Sequence, residues 1–247
     1  MQMPYDKFLL FEHYVHYLMH YFFTFEFIRS SASHEPLQTT LFQYKLFFVN
    51  YGSMFVIFNE IFGQEVYKFS PDTQEPFIID CGSNIGLAIF YFKVCYPKAR
   101  ILGFEASPET FAILQQNVTE NKWNDVTVYN QALHNKEDKI TFYSCKENAA
   151  IGGWSVMGST MNQSYEEHSQ QVQAMPLSPY IDRPVDLIKM DIEGAEDLVL
   201  EELAQSGKLK LVKYMILEYH HHMVDVNQDC LSKVLRIFED NGFGVSI

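Results

Sequence analysis

Phe77-Ile78-Ile79-Asp80-Cys81-Gly82-Ser83-Asn84-Ile85-Gly86 opens with a continuous apolar run closed by an acid. A strand buried on both faces reads this way. Two glycines follow, and Leu87-Ala88-Ile89-Phe90-Tyr91 then begins a helical stretch. Strand, glycine turn and helix in that order place free backbone N–H groups at the carboxyl end of a strand. Gly82 permits the tight turn and lets a ligand approach the backbone, and Gly86 permits close contact at the helix start.

The same alternation extends outward. Apolar runs recur at Ala99–Glu105, Val126–Asn130, Val185–Asp191 and Leu211–Glu218, with helical stretches predicted over 86–96, 108–121, 195–205 and 228–241. Continuous apolar strands separated by helices predict an α/β fold, a mainly parallel sheet covered on both faces. The acids Asp80, Glu105, Asp191 and Glu218 end four of these runs. In open α/β sheets, ligands sit at the carboxyl ends of strands, where those acids would converge.

Upstream the pattern differs. Residues 1–40 are aromatic-rich and helical in pattern, ending in a polar run at 30–36. Between 41 and 70 the stretches LFQYKLFFV, SMFVIF and EVYKF read as short strands, with Gly52 turning the first into the second. The boundaries drawn are an N-terminal helical and short-strand cap over 1–70 and a Rossmann-like domain over 71–247. Residues 144–171 read as a long loop; 149–160 carries three glycines around Trp154 and Met157 and is expected to close over a ligand.

Composition narrows the function classes. Of 247 residues, 47% are hydrophobic and 20% charged, as in a soluble globular protein. The net charge of −13 repels phosphate backbones, so no nucleic-acid partner is expected. Cys81, Cys95, Cys145 and Cys230 form neither a C-x-x-C pair nor a disulfide framework, which fits a cytoplasmic protein. Residues 8–28 are long enough to span a membrane, but Glu12, Glu26 and three histidines interrupt them. Phe8, Phe11, Val15, Leu18, Phe22 and Phe25 fall on one helical face. No membrane span is expected; the face would pack on the body or on a second copy, as in a homodimer.

The acids and glycines favour one cofactor. Glu105 lies 19 residues after Gly86, where an acid accepts hydrogen bonds from both ribose hydroxyls. The spacing D-x-G-x-x-x-G departs from the three-glycine form that a pyrophosphate dinucleotide wants. Asp80 would repel a phosphate. S-adenosylmethionine carries an ammonium, a sulfonium and a ribose, and no phosphate, so Asp80, Glu105 and Asp191 suit it better than NAD. A nucleotide-cofactor oxidoreductase and a non-catalytic cofactor-binding module remain as alternatives.

FIIDCGSNIG at 77–86, Gly103-Phe104-Glu105-Ala106-Ser107-Pro108-Glu109, and Lys189-Met190-Asp191-Ile192-Glu193-Gly194-Ala195-Glu196 together resemble the FkbM family of S-adenosylmethionine-dependent methyltransferases. Phe62–Tyr67 and Leu217-Glu218-Tyr219-His220 are similar to it as well. The resemblance implies a class I Rossmann-like methyltransferase acting on a hydroxyl of a sugar or other small molecule. It implies that Asp80, Gly82, Ser83, Asn84 and Gly86 hold the methionine side of the cofactor, that Glu105 holds the ribose, and that Gln131 and Ala132 flank the adenine. Class I sheets finish with an antiparallel strand pair; this chain stops soon after Phe243, so a strand there is expected to be missing or short.

An alcohol acceptor must lose its proton. The candidate bases are Asp191, Glu193, Glu218 and His220, with His220 and Glu218 ranked first for catalysis beside Asp191. Lys189 and Asp191 share strand parity and face one side. Acids before a helix also cap its N–H groups, and Lys189 also neutralises a buried acid. A divalent metal held by Asp191, Glu218 and His220 is an alternative route to the same deprotonation.

Overall fold

The structure is a computed structural model, and it describes residues 36–49, 51–144, 154–155, 168–220 and 230–246. The amphipathic stretch at 8–28 and most of the 149–160 loop lie outside the described residues.

Five strands form the central sheet: β3 (Phe77–Cys81), β4 (Arg100–Phe104), β5 (Val126–Tyr129), β10 (Val185–Met190) and β11 (Val212–Leu217). Their order is β11-β10-β3-β4-β5, and every pairing is parallel. Order reverses at β3, so the β3–β10 junction is the topological switch point. Helices α2 (Leu87–Cys95), α3 (Pro108–Glu120) and α4 (Glu196–Gln205) lie on crossovers between these strands, and α5 (Cys230–Asp240) follows β11; together they cover the sheet. All lie within a few residues of the stretches predicted for them.

Strand alternation divides the core in two. Ile78, Ile101 and Leu187 face α2, α3 and an aromatic layer from residues 41–69. Ile79, Phe104 and Ile188 face α4 and α5. Successive side chains on a strand point to opposite faces, so FIID needs apolar residues on both sides. Among the described residues no strand follows β11; Phe243 packs on Phe238 of α5 instead.

The upstream segment departs from its reading. LFQYKLFFV is not one strand: β1 (Leu37–Leu41) and β2 (Tyr44–Phe48) form a hairpin that turns at Phe42-Gln43. Phe42 takes the left-handed φ of 54° with its ring 5.6 Å from that of Phe62. SMFVIF belongs to α1 (Tyr51–Phe58), continued by a π-turn over Asn59–Gly63. Gly52 therefore lies inside a helix and makes no turn. Met54, Phe58, Ile61 and Phe62 are buried at helical spacing, a period that the unbroken apolar run conceals. EVYKF forms no strand; its backbone turns, with Lys68 N–H donating to Glu65 O at 2.9 Å.

Asn117 and Asn121 of α3 tie this segment to the body. Asn117 Oδ1 accepts from Phe47 N–H (2.7 Å), and its Nδ2 donates to Phe47 O (3.0 Å) and Ile85 O (2.8 Å). Asn121 repeats the pattern on Lys45. One helical turn apart, the two amides replace a missing strand neighbour for β2.

The 144–171 region also differs from a plain loop. β6 (Ala132–Leu133), β7 (Asp138–Ser144), β8 (Trp154–Ser155) and β9 (His168–Met175) form a second sheet in the order β6-β9-β7-β8. Ala132, Phe142, Val172 and Ala174 make its small core. Polar residues alternate with these along β7 and β9, so the sheet carries little hydrophobic signature.

Candidate functional site

The glycine turn sits between β3 and α2 and is held from both sides. The N–H groups of Gly82 and Ser83 donate to Phe104 O at 3.0 and 2.8 Å. Gly82 has φ 79°, and a Cβ there would lie 1.7 Å from the backbone oxygen of Asp191. No other residue fits, because the end of β10 occupies that space. Asn84 takes φ 51° and Gly86 φ 97°. Ser83 is buried, and its hydroxyl donates to Asp80 O at 3.0 Å.

Glu105 follows β4 beside this turn. Its Oε2 accepts from Asn84 N–H at 2.9 Å and its Oε1 from Ser107 N–H at 2.8 Å. Burial pushes its pKa up to about 7, against the pull of those two bonds. A carboxylate oxygen has two acceptor sites, so capacity remains on each for a hydroxyl. Glu105 lines a cleft with Gly82, Asn84, Gln131, Ala132, Asp191 and Glu193, and among the described residues no Lys or Arg is in its wall. Tyr180 donates to Gln131 Oε1 at 2.6 Å, fixing that amide at the mouth of β5.

Asp80 does not line the cleft. It is fully buried, and neither carboxylate oxygen has a hydrogen-bond partner. Lys189 Nζ lies 3.4 Å from Oδ1, 3.6 Å from Asp191 Oδ2, and 2.7 Å from Gly82 O. Burial raises the Asp80 pKa, with Lys189 opposing. Burial would strip Lys189 of its proton, but Asp80 and Asp191 outweigh it and hold its pKa above the usual lysine range.

His220, three residues past β11, meets the turn after β10. Nδ1 lies 2.8 Å from Glu196 Oε1, and Nε2 lies 3.5 Å from Glu193, 3.9 Å from Asp191 and 3.9 Å from Glu218. Glu196 is fully buried, and its carboxylate also accepts from the N–H groups of Ile192 (3.3 Å) and Gly194 (3.1 Å). That grip supports Glu193 at φ 57°, a conformation costing about 1–2 kcal/mol in an L-residue. Burial alone would lower the His220 pKa; the bond to Glu196 and the surrounding acids outweigh it and push it up to about 9. Burial pushes Glu193 up to about 7 despite the histidine. Burial and then Asp191 raise Glu218.

Gly82, Asn84, Glu105, Gln131, Ala132 and Asp191 thus share one cleft, and His220 and Glu218 stand at its Asp191 end. Ser83 and Asp80 lie behind it. The ligand atoms that come within 4.8 Å of one another belong to Asp191, Glu193 and His220; Glu218 is more exposed, at the rim. The sequence reading quotes Glu196 and Tyr67 within stretches that carry the family resemblance and gives neither a role at the site. Tyr67 reaches the site from the upstream segment, its ring 5.5 Å from Lys189 Nζ.

A family model described as the methyltransferase FkbM domain matches residues 80–245. "Methyltransferase 1" of Beauveria bassiana (strain ARSEF 2860) is 28% identical over 208 residues, covering 77% of this chain and 81% of its own. "Methyltransferase sdnD" of Sordaria araneosa is 42% identical over 65 residues, 26% of this chain and 25% of its own. A solved structure of a methyltransferase FkbM from Methylobacillus flagellatus KT aligns at TM-score 0.49 and 18% identity, over 70% of this chain and 39% of that one. No helix among the described residues is long and apolar enough to cross a membrane.

Proposed function

The chain belongs to the methyltransferase FkbM domain family, and from that premise we propose an S-adenosylmethionine-dependent O-methyltransferase acting on a hydroxyl of a small molecule or glycan. The observation that carries the cofactor assignment is Glu105. Its two oxygens are aimed by the N–H groups of Asn84 and Ser107 in a cleft whose wall, among the described residues, holds carboxylates and no basic side chain. Such a wall suits a ribose and a cationic sulfur and leaves a pyrophosphate without a partner. Gln131 and Ala132 would flank the adenine.

S-adenosylmethionine supplies, when bound, an electrophilic methyl group; the O–C bond forms as the S–C bond breaks. The residues of this chain position the acceptor and remove its proton. We assign the proton to the Asp191–Glu193–His220 cluster, with Glu193 as the accepting group. His220, with a pKa of about 9, already carries its proton at neutral pH. Glu193, at about 7, is poised to take one. His220 then stabilises the carboxylates beside it, and Glu218 faces the acceptor from the rim. On a second reading Asp191, Glu193 and His220, whose ligand atoms lie within 4.8 Å of one another, would hold a divalent cation. The cation would lower the acceptor's pKa directly.

The same reading places the protein in the cytoplasm, takes residues 1–70 as a cap whose 1–40 segment serves as a dimer contact, and gives it no nucleic-acid partner. The experiment is transfer of an isotope-labelled methyl from S-adenosylmethionine to a panel of polyols and glycosides. A carbon NMR shift in the methoxy range is expected. Label appearing on nitrogen or carbon acceptors alone would contradict the O-methyl assignment.

A further inference from the structure

Lys189 is buried to 2% exposure in the middle of the sheet, an environment that disfavours an ammonium. Its simplest role is to neutralise Asp80, also fully buried and facing it from β3. The distances say otherwise. Asp80 Oδ1 is 3.4 Å away, and neither Asp80 oxygen has a hydrogen bond. The short contact, 2.7 Å, goes to the carbonyl of Gly82, and a longer one of 3.4 Å to that of Cys81. A charge-assisted bond is thus directed at a neutral backbone atom, while the Asp80 carboxylate stands at the longer ion-pair distance.

Resting on the S-adenosylmethionine reading above, we propose that Lys189 is a positioning residue for the cofactor turn. The Gly82 and Ser83 N–H groups are anchored on β4 through Phe104 O. Lys189 anchors the carbonyl between those N–H groups on β10, so the Gly82–Ser83 peptide is fixed between the two strands flanking β3. That peptide sets the direction in which Asn84 and Gly82 enter the cleft. Asp80 and Asp191 keep the ammonium charged, and the Tyr67 ring covers it at 5.5 Å. Tyr67 precedes the matched family region, so the upstream segment reaches the same machinery.

The test compares full-length Lys189→Arg, Lys189→Met, Asp80→Asn and the double variant Asp80→Asn/Lys189→Met, by calorimetry with S-adenosylmethionine and by thermal melting. The double variant removes both buried charges together and keeps the comparison open if Lys189→Met alone fails to fold. It is expected to melt near Asp80→Asn yet bind the cofactor about tenfold more weakly than Asp80→Asn. Lys189→Arg is expected to recover most of the affinity lost in Lys189→Met. Equal affinity in the double variant and Asp80→Asn would overturn the proposal, leaving Lys189 as a counter-charge. No binding to the native protein would overturn the cofactor reading itself, and this inference with it.

Discussion

Nδ1 of His220 lies 2.8 Å from the buried carboxylate of Glu196, the contact that does most to keep the ring protonated against its burial. Glu196 holds the proton on the ring, so Nε2 faces Glu193 as a donor. Activity should then depend on ionised Glu193. Below its pKa of about 7, kcat is expected to fall toward tenfold per pH unit. Glu193→Gln should lose about 10²–10⁴ in kcat while cofactor affinity stays near native. A kcat level from pH 5.5 to 8 would contradict the assignment.

His220→Gln removes the cation beside Glu193. Without it the Glu193 pKa rises further, so the acid limb of the kcat profile should move to higher pH. An unmoved or downward-shifted limb would show that the two residues are not coupled.

Glu196 anchors the turn as well as the ring. Glu196→Ala leaves the N–H groups of Ile192 and Gly194 and a buried imidazolium without their acceptor. Breaking a buried pair costs roughly 3–5 kcal/mol. Denaturant unfolding measures it; a loss under about 1 kcal/mol would contradict the anchoring role.

Asn117 joins β2 to the cofactor turn through Phe47 and Ile85. Asn117→Ala takes the amide partner from three buried backbone groups, and an unsatisfied group costs roughly 1–3 kcal/mol. Asn117→Asp keeps the acceptor and loses the donor, and should also destabilise. Chemical melts decide it, and a neutral Asn117→Ala would mean that water replaces the amide.

The metal route makes its own demand. If a cation bridges Asp191, Glu193 and His220, EDTA should abolish turnover, and Mg²⁺ or Mn²⁺ should restore it. Full activity after exhaustive chelation leaves the Glu193 route alone.

The central sheet was legible because its inner strands are buried on both faces. Runs such as FIID at 77–80 and VDLIKM at 185–190 resemble neither a helix face nor a loop. The second sheet was not: β9 reads SQQVQAM after His168, and only Val172 and Ala174 are fully buried. The upstream segment misled for the opposite reason. After Ser53 the stretch SMFVIF is an unbroken apolar run, so its helical period is invisible until Met54, Phe58 and Ile61 are seen buried. At the site, Gly82 and Glu105 were readable from spacing to the strand ends. Glu196 was not, because its value lies in bonds to a residue 24 positions away. Gly82 also owes its identity to the Asp191 carbonyl against its Cα, which the sequence does not display.

The most direct test is calorimetric titration of S-adenosylmethionine into the native protein and into Glu105→Ala, repeated at pH 6 and pH 8. Ribose hydroxyls need the ionised carboxylate, and free Glu105 has a pKa of about 7. Native binding should therefore be several-fold tighter at pH 8 than at pH 6. Glu105→Ala should bind at least about tenfold more weakly at pH 8 and lose most of the pH dependence. Undetectable native binding, or tight binding of NADH in its place, would contradict the account. So would a Glu105→Ala protein of native affinity.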